Sequence, residues 1–176
     1  MDGHPLIVAN RELTQQGLGF VRHVQGFEGL YALKLPPYGA SIGQQVRHVL
    51  DLYDCLLRSS SVVDLTARER NEQTEVDPTH ALVRLRSLDD MLRIIGQETS
   101  EPLELVDDVG VRITTRSTIG EGLRYVFVHT THHYAQMNTM LALAAALHPE
   151  EDILPYPDLS FGYNPSTIKA NNVHID

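Results

Sequence analysis

The sequence predicts an all-α protein, a four-helix bundle carrying one small β-hairpin between its third and fourth helices. Three observations carry that prediction. Four long segments place apolar residues at i, i+3, i+4 and i+7, the spacing of a helix with one buried face. A fifth segment alternates apolar and polar residues around an Asp/Gly turn, which is hairpin patterning. No internal repeat or low-complexity linker interrupts the 176 residues, so residues 1–176 are expected to form one domain, long enough to bury a core without disulfides.

The first helix is expected from Pro5 to Gln25, with Leu6, Leu13, Leu18, Phe20 and Val21 as its apolar side. Gly17 and Gly19 weaken that helix, since glycine costs backbone entropy there. After Pro36-Pro37, Ser41-Ile-Gly-Gln44 has the form of a capping box and opens the second helix, which runs to about Arg58. Val46, Val49, Leu50, Tyr53, Leu56 and Leu57 form its buried stripe. At about 100° per residue, His48 and Cys55 fall at the margin of that stripe.

Residues 59–76 read as a polar connector of mixed charge, an ordered surface excursion. Its charges Arg68, Arg70 and Glu75, with Asp77 just beyond, suit helix caps, solvated faces or a subunit partner. The third helix opens at Asp77-Pro78 and stops at Gly96, an N-cap residue followed by proline in the first turn. Leu82, Leu85, Leu88, Leu92 and Ile95 give it a core face. The hairpin follows over 103–114. Thr118-Ile-Gly-Glu121 is a second capping box, opening a fourth helix over 118–147 with Ile119, Leu123, Val126, Met137, Met140 and Ala144 inward. The tail beyond His148-Pro149, with Pro155, Pro157 and Pro165, is expected to cross the surface irregularly.

Composition narrows the function classes. A formal net charge of −9 opposes binding to a phosphate backbone, because such affinity comes from Lys and Arg displacing counterions. A single cysteine, Cys55, excludes an intrachain disulfide and any CxxC metal site, and is expected to be a small buried hydrophobe. The N-terminus carries an acidic residue where a signal peptide wants positive charge, and the longest apolar block, Met140 to Leu147, falls far below the roughly 20 residues of a membrane span. A cytoplasmic protein is expected, with neither a nucleic-acid nor a membrane partner.

The chemistry concentrates in His129-Thr-Thr-His132-His133-Tyr-Ala-Gln136. On one helix, His129 and His133 lie a turn apart on the same side, with Cα atoms roughly 6 Å apart. Two neutral imidazoles so placed can converge on one divalent ion at about 2.0–2.1 Å, and His48 on the earlier helix offers a third nitrogen. Three ligands leave a coordination position open, as in catalytic rather than structural sites. The same spacing also suits partly buried histidines bonded to carbonyls or water. His132 reads as a neighbour of the site or a surface residue, and Gln136 as a hydrogen-bond partner for bound water or a plain helix-edge amide. His4, His23, His80, His148 and His174 lack partners at metal spacing and are expected to face solvent.

Ser41-Ile-Gly-Gln-Gln-Val-Arg-His48-Val-Leu-Asp-Leu-Tyr, followed far downstream by Val-His129-Thr-Thr-His132-His133-Tyr-Ala-Gln136-Met, resembles the DinB-like superfamily, which includes YfiT-like proteins. The resemblance covers essentially the whole chain, down to a Phe161-Gly-Tyr163-Asn-Pro165-Ser-Thr tail seen in one branch. It implies a four-helix bundle in which His48, His129 and His133 bind nickel or zinc. It also implies either transfer from a low-molecular-weight thiol (bacillithiol, mycothiol or glutathione) or metal-dependent hydrolysis, and often a homodimer. Many relatives have Arg-Gly between the last histidine and the glutamine, where this chain has Tyr134-Ala135; the shared metal is therefore better supported than a shared substrate. Three expectations follow. The first is an enzyme that activates a thiol or water toward a small-molecule substrate, with His132 or Tyr163 assisting proton transfer. The second is a non-catalytic, stress-associated metal-binding dimer. The third is a bundle that binds no metal.

Overall fold

The capping residues set where the helices begin. A computed structural model describes residues 4–58, 61–95 and 99–163. Helix α1 spans Pro5–Gln25, and His4 caps it by accepting the Leu6 N–H on Nδ1 at 3.3 Å. Helix α2, Ile42–Arg58, starts on a reciprocal capping box. The Ser41 N–H donates to Gln44 Oε1 at 3.0 Å and the Gln44 N–H donates to Ser41 Oγ at 3.1 Å, so two otherwise orphaned donors are satisfied. A short helix α3 spans Glu72–Val76 and α4 spans Pro78–Ile95. Helix α5 covers Ile119–Leu147, capped by Thr118 Oγ1, which accepts the Glu121 N–H at 3.2 Å. Gly96, the expected stop of α4, lies outside the described residues.

Helix α1 stays unbroken despite its two glycines because both are contact points. A Cβ on Gly17 would overlap the Tyr134 hydroxyl, and one on Gly19 would overlap the Tyr156 hydroxyl. The glycines cost helix propensity and gain close packing of α1 against α5 and the tail.

The connector corrects the sequence reading. It is no plain excursion, since it holds strand β1, Val62–Asp64, as well as α3. Strands β2, Pro102–Asp108, and β3, Arg112–Thr118, form the expected hairpin, extended so that β3 runs straight into α5. Strand β1 pairs parallel to β2, with Val63 opposite Leu105. The all-α expectation thus becomes a mostly helical chain with a three-stranded sheet ordered β1-β2-β3. Three residues are too few to show a period of two, which is why the sequence does not betray β1.

Helix α1 packs on α4 and α5, and α2 packs on α5 and α4. The core between them includes Phe20, Ile42, Leu50, Leu85, Leu123 and Met137. Buried polar groups are paired across the helices. Asn10 on α1 donates to the Leu6 and Leu123 carbonyls and accepts the Tyr53 hydroxyl at 2.6 Å. Asp51 on α2 receives Arg47 at 3.2 Å and Arg84 of α4 at 3.3 Å. This network ties α2 to α4 and leaves the opposite edge of α2 to meet α5.

The tail also departs from expectation. It is irregular, with one 3-10 turn at Pro149–Glu151, but Phe161 is fully enclosed. Its ring stacks on Phe20 at 4.3 Å and on Tyr134 at 4.5 Å between centroids. Gly162, at φ +81°, lies so close to the Tyr134 and Ala135 backbone that a Cβ would overlap it. Three histidines expected in solvent have partners instead: His4 in its cap, His23 Nε2 at 2.9 Å from the Leu154 carbonyl, and His80 Nδ1 at 3.0 Å from Thr74 Oγ1. His148 lies 3.5 Å from a Glu150 oxygen, and His174 and Pro165 fall outside the described residues. Among the described residues, no helix is long and apolar enough to cross a membrane.

Candidate metal centre

On α2 the buried Val46, Val49 and Leu50 turn inward and leave His48 at the edge of the packed face, half-buried. On α5 the buried Val126, Thr130, Tyr134 and Met137 do the same for His129 and His133. Since α2 packs against α5, the three edges meet. His48 Nε2 lies 2.8 Å from His129 Nε2, and His133 Nε2 lies 2.9 Å from the same atom. One ligand atom from each ring falls within 4.8 Å of the others, a cluster suited to a metal ion.

Two further observations test whether an ion fits. For nitrogens about 2.0–2.1 Å from a metal, adjacent corners of an octahedron are about 2.9 Å apart and those of a tetrahedron about 3.3 Å. The two Nε2 separations to His129 are close to the octahedral edge. The second observation is proton placement. The His133 Nδ1–H donates to Gln45 Oε1 at 2.5 Å, so in the neutral ring Nε2 carries a lone pair. Arg68 Nη1 donates to His48 Nδ1 at 2.7 Å; arginine has no acceptor, so in neutral His48 the proton sits on Nε2. His129 Nε2 faces both and can match only one. Whichever state it takes, one close contact sets proton against proton or lone pair against lone pair. With the His129 lone pair turned inward, a cation would relieve its repulsion toward His133, and His48 could join them only with its own proton on Nδ1.

Electrostatics keep the three rings neutral. Burial pulls His48 down to about 4, helped by His129 and by the positive charges of Arg68 and Arg47. Burial pulls His133 down to about 3, with His48, His129 and His132 adding to the effect and Gln136 opposing it. His129 is lowered by burial, then by His132 and Arg68, against Asp107. Near neutral pH, all three rings are uncharged, and which nitrogen of each carries a lone pair is set by its hydrogen-bond partner.

With this geometry in place, the sequence match is decisive: the chain matches the DinB family over residues 30–166, which includes all three histidines. The chain belongs to the DinB family. No curated protein matches it, and no solved structure does.

In this DinB protein the remaining candidates divide. His132 is exposed at the rim; the Gln136 side-chain N–H donates to its Nε2 at 2.9 Å, and its ring centroid lies 5.4 Å from that of His133. Gln136 thus serves His132, as well as raising the His133 pKa. Tyr163 sits on the tail, 54 % exposed, with its N–H bonded to the Ser160 carbonyl at 3.0 Å. The Cys55 thiol lies 3.9 Å from the Ala67 carbonyl, and burial pushes its pKa up, which disfavours the thiolate.

Three neighbours of the triad escaped the sequence reading. Gln45 orients His133 from across the helix interface. Its position three residues before His48, on the same helical side, was the available signal. Arg68, read as a cap, solvated or subunit charge, reaches His48 over a connector with no periodic pattern, so nothing in the sequence marked it. Tyr125 stacks on His129 at 5.7 Å and 23°, one turn earlier on α5; burial and Asp107 raise its hydroxyl.

Beside the triad runs an open groove lined by Glu121, Arg124, Tyr125, Val128, His129 and His132. A separate void among Phe20, Leu85, Tyr134 and Phe161 measures about 10 Å³, room for no more than a water. Unlike this void, the groove has room for a small molecule.

Proposed function

We propose that this DinB protein is a metal-dependent enzyme built on a four-helix bundle. His48, His129 and His133 hold one divalent ion, nickel or zinc, and a small-molecule substrate enters along the groove. A divalent ion held there lowers the pKa of a thiol or water that it binds, so that a nucleophile is present at neutral pH. With a low-molecular-weight thiol the reaction is S-transfer: an S–C bond forms, the thiol proton leaves, and the leaving group departs with its electron pair. With water the reaction is hydrolysis. The carrying observation is that three half-buried imidazoles cluster within reach of one ion and that one of them, His129, lines an open groove, which leaves room for a reactant beside the ligands.

The protein's own groups have distinct tasks in this reading. Gln45 fixes the ring orientation and tautomer of His133, the usual duty of a group behind a ligand. Tyr125 covers one face of His129 and limits water there. His132, exposed and bonded to Gln136, places an imidazole at the groove rim and is the proposed proton carrier. Tyr163 is a second proposed proton donor. The protein is proposed to act as a cytoplasmic homodimer.

The test is elemental analysis of protein purified without an affinity tag, compared with His48→Ala and His133→Ala, followed by a panel of thiols with small electrophiles. Expected are one equivalent of metal in the parent protein, its loss in both variants, and turnover that follows metal content. Equal metal in all three proteins ends the ligand assignment, and metal without turnover on any pair in that panel favours a non-catalytic role.

A further inference from the structure

The two outer ligands have opposite supports. His133 gives its Nδ1–H to Gln45 Oε1 at 2.5 Å. A ligating histidine needs this arrangement, because donating through one nitrogen leaves the other with a lone pair for the ion. His48 receives a hydrogen bond on Nδ1 from Arg68 Nη1 at 2.7 Å. Since a guanidinium only donates, that bond fixes the His48 proton on Nε2, the atom turned toward the other two rings. The nitrogen that would meet the ion is the one holding a hydrogen.

We propose that Arg68 is a latch that opposes metal binding: its guanidinium holds His48 in the non-ligating tautomer and must leave Nδ1 before all three histidines can share an ion. The inference rests on the metal-site reading above. Three features of this chain support it. Arg68 lies on the connection between β1 and α3, outside both ligand-bearing helices, so it can withdraw without moving α2 against α5. Its Nε is buried with no hydrogen-bond partner among the described residues, so nothing on that atom holds the side chain in its present place. Its positive charge beside the site adds repulsion toward a cation in the latched state. When Arg68 withdraws, its guanidinium is freed to pair with an anionic group.

Arg68→Gln is the most direct test, because a glutamine at 68 offers a carbonyl oxygen that can accept the His48 Nδ1–H. Zinc or nickel ions alone are titrated into metal-free protein. Arg68→Gln is expected to bind about tenfold or more tightly than the parent, in the range that groups behind a ligand usually command. Arg68→Lys, which keeps the charge and can still donate, is expected to stay within about threefold of the parent. Equal or weaker binding by Arg68→Gln overturns the proposal. His133→Ala separates the two readings. If it abolishes binding while Arg68→Gln gains nothing, the latch fails and the metal site stands. If His133→Ala binds as the parent does, or if no protein in the set binds an ion, both fail. Long-range nitrogen NMR of the metal-free parent needs no variant to fold. It should show His48 protonated on Nε2 and His133 on Nδ1, and a His48 signal with the proton on Nδ1 refutes the latch.

Discussion

Replacing Phe161 by alanine tests whether the tail belongs to the core. The ring is 1 % exposed and stacked between Phe20 and Tyr134, at interplanar angles of 6° and 19°. Truncating a buried phenylalanine costs about 3–5 kcal/mol, combining lost transfer free energy with the cavity left behind. Two stacked partners place this site toward the upper part of that range. The void cannot collapse easily, because Tyr134 is held on α5 and its hydroxyl abuts Gly17 on α1. In a chain of this size each kcal/mol moves Tm by about 2–4 °C, so a drop of roughly 6–20 °C is expected. Urea unfolding followed by circular dichroism measures the free energy, and Leu159→Ala, at a residue 65 % exposed, is the control expected to stay within about 0.5 kcal/mol. A Phe161→Ala protein within 1 kcal/mol of the parent would mean that the tail is not docked, and the account of Gly162 against α5 would fall with it.

Gln45→Leu removes the acceptor for the His133 Nδ1–H and is expected to weaken zinc binding by about 10–100-fold, read by competition with a chelator; unchanged affinity would remove Gln45 from the site. Zinc at 100 times its Kd is expected to add about 2.7 kcal/mol of stability and so raise Tm by roughly 5–11 °C. Chelation should reverse that gain, and His133→Ala should abolish it. Acidification should destabilise the metal-free protein, because folding depresses the pKa of His48 to about 4 and of His133 to about 3. The unfolded chain takes up protons near pH 6.5 that the folded chain refuses, so stability is full above that pH and falls as pH drops toward those folded values. Screening of half-buried rings limits the whole effect to the order of 2–4 kcal/mol. A stability curve flat from about pH 7 to 5 would contradict the burial of these rings.

Legibility in the sequence followed the range of the interaction. Helices α1, α2, α4 and α5 were readable to within a residue or two, because caps at Ser41 and Thr118, a proline at 78 and the 3.6-residue apolar period act between near neighbours. The pair His129 and His133 was readable for the same reason, being one turn apart on one helix. Strand β1 was not, since a three-residue strand has no period, and its partner β2 lies some 40 residues on. The place of Phe161 was hidden in the same way: an aromatic in a proline-rich tail looks exposed until Phe20 and Tyr134 are seen on either side of it. The solvent default for His4, His23 and His80 failed because each finds a partner that sequence spacing at metal-binding intervals does not consider.

By itself the sequence determined the helical periodicity, the histidine set and the family, all properties of residue type and local spacing. The tertiary structure alone decided that α2 meets α5 edge to edge, bringing His48 within 2.8 Å of His129. It also decided which group stands behind each ring, Gln45 for His133 and Arg68 for His48. Local spacing fixes which face a side chain occupies. The direction of a hydrogen bond between residues 20 or 88 positions apart depends on how separate elements dock, and that is set by packing of the whole core.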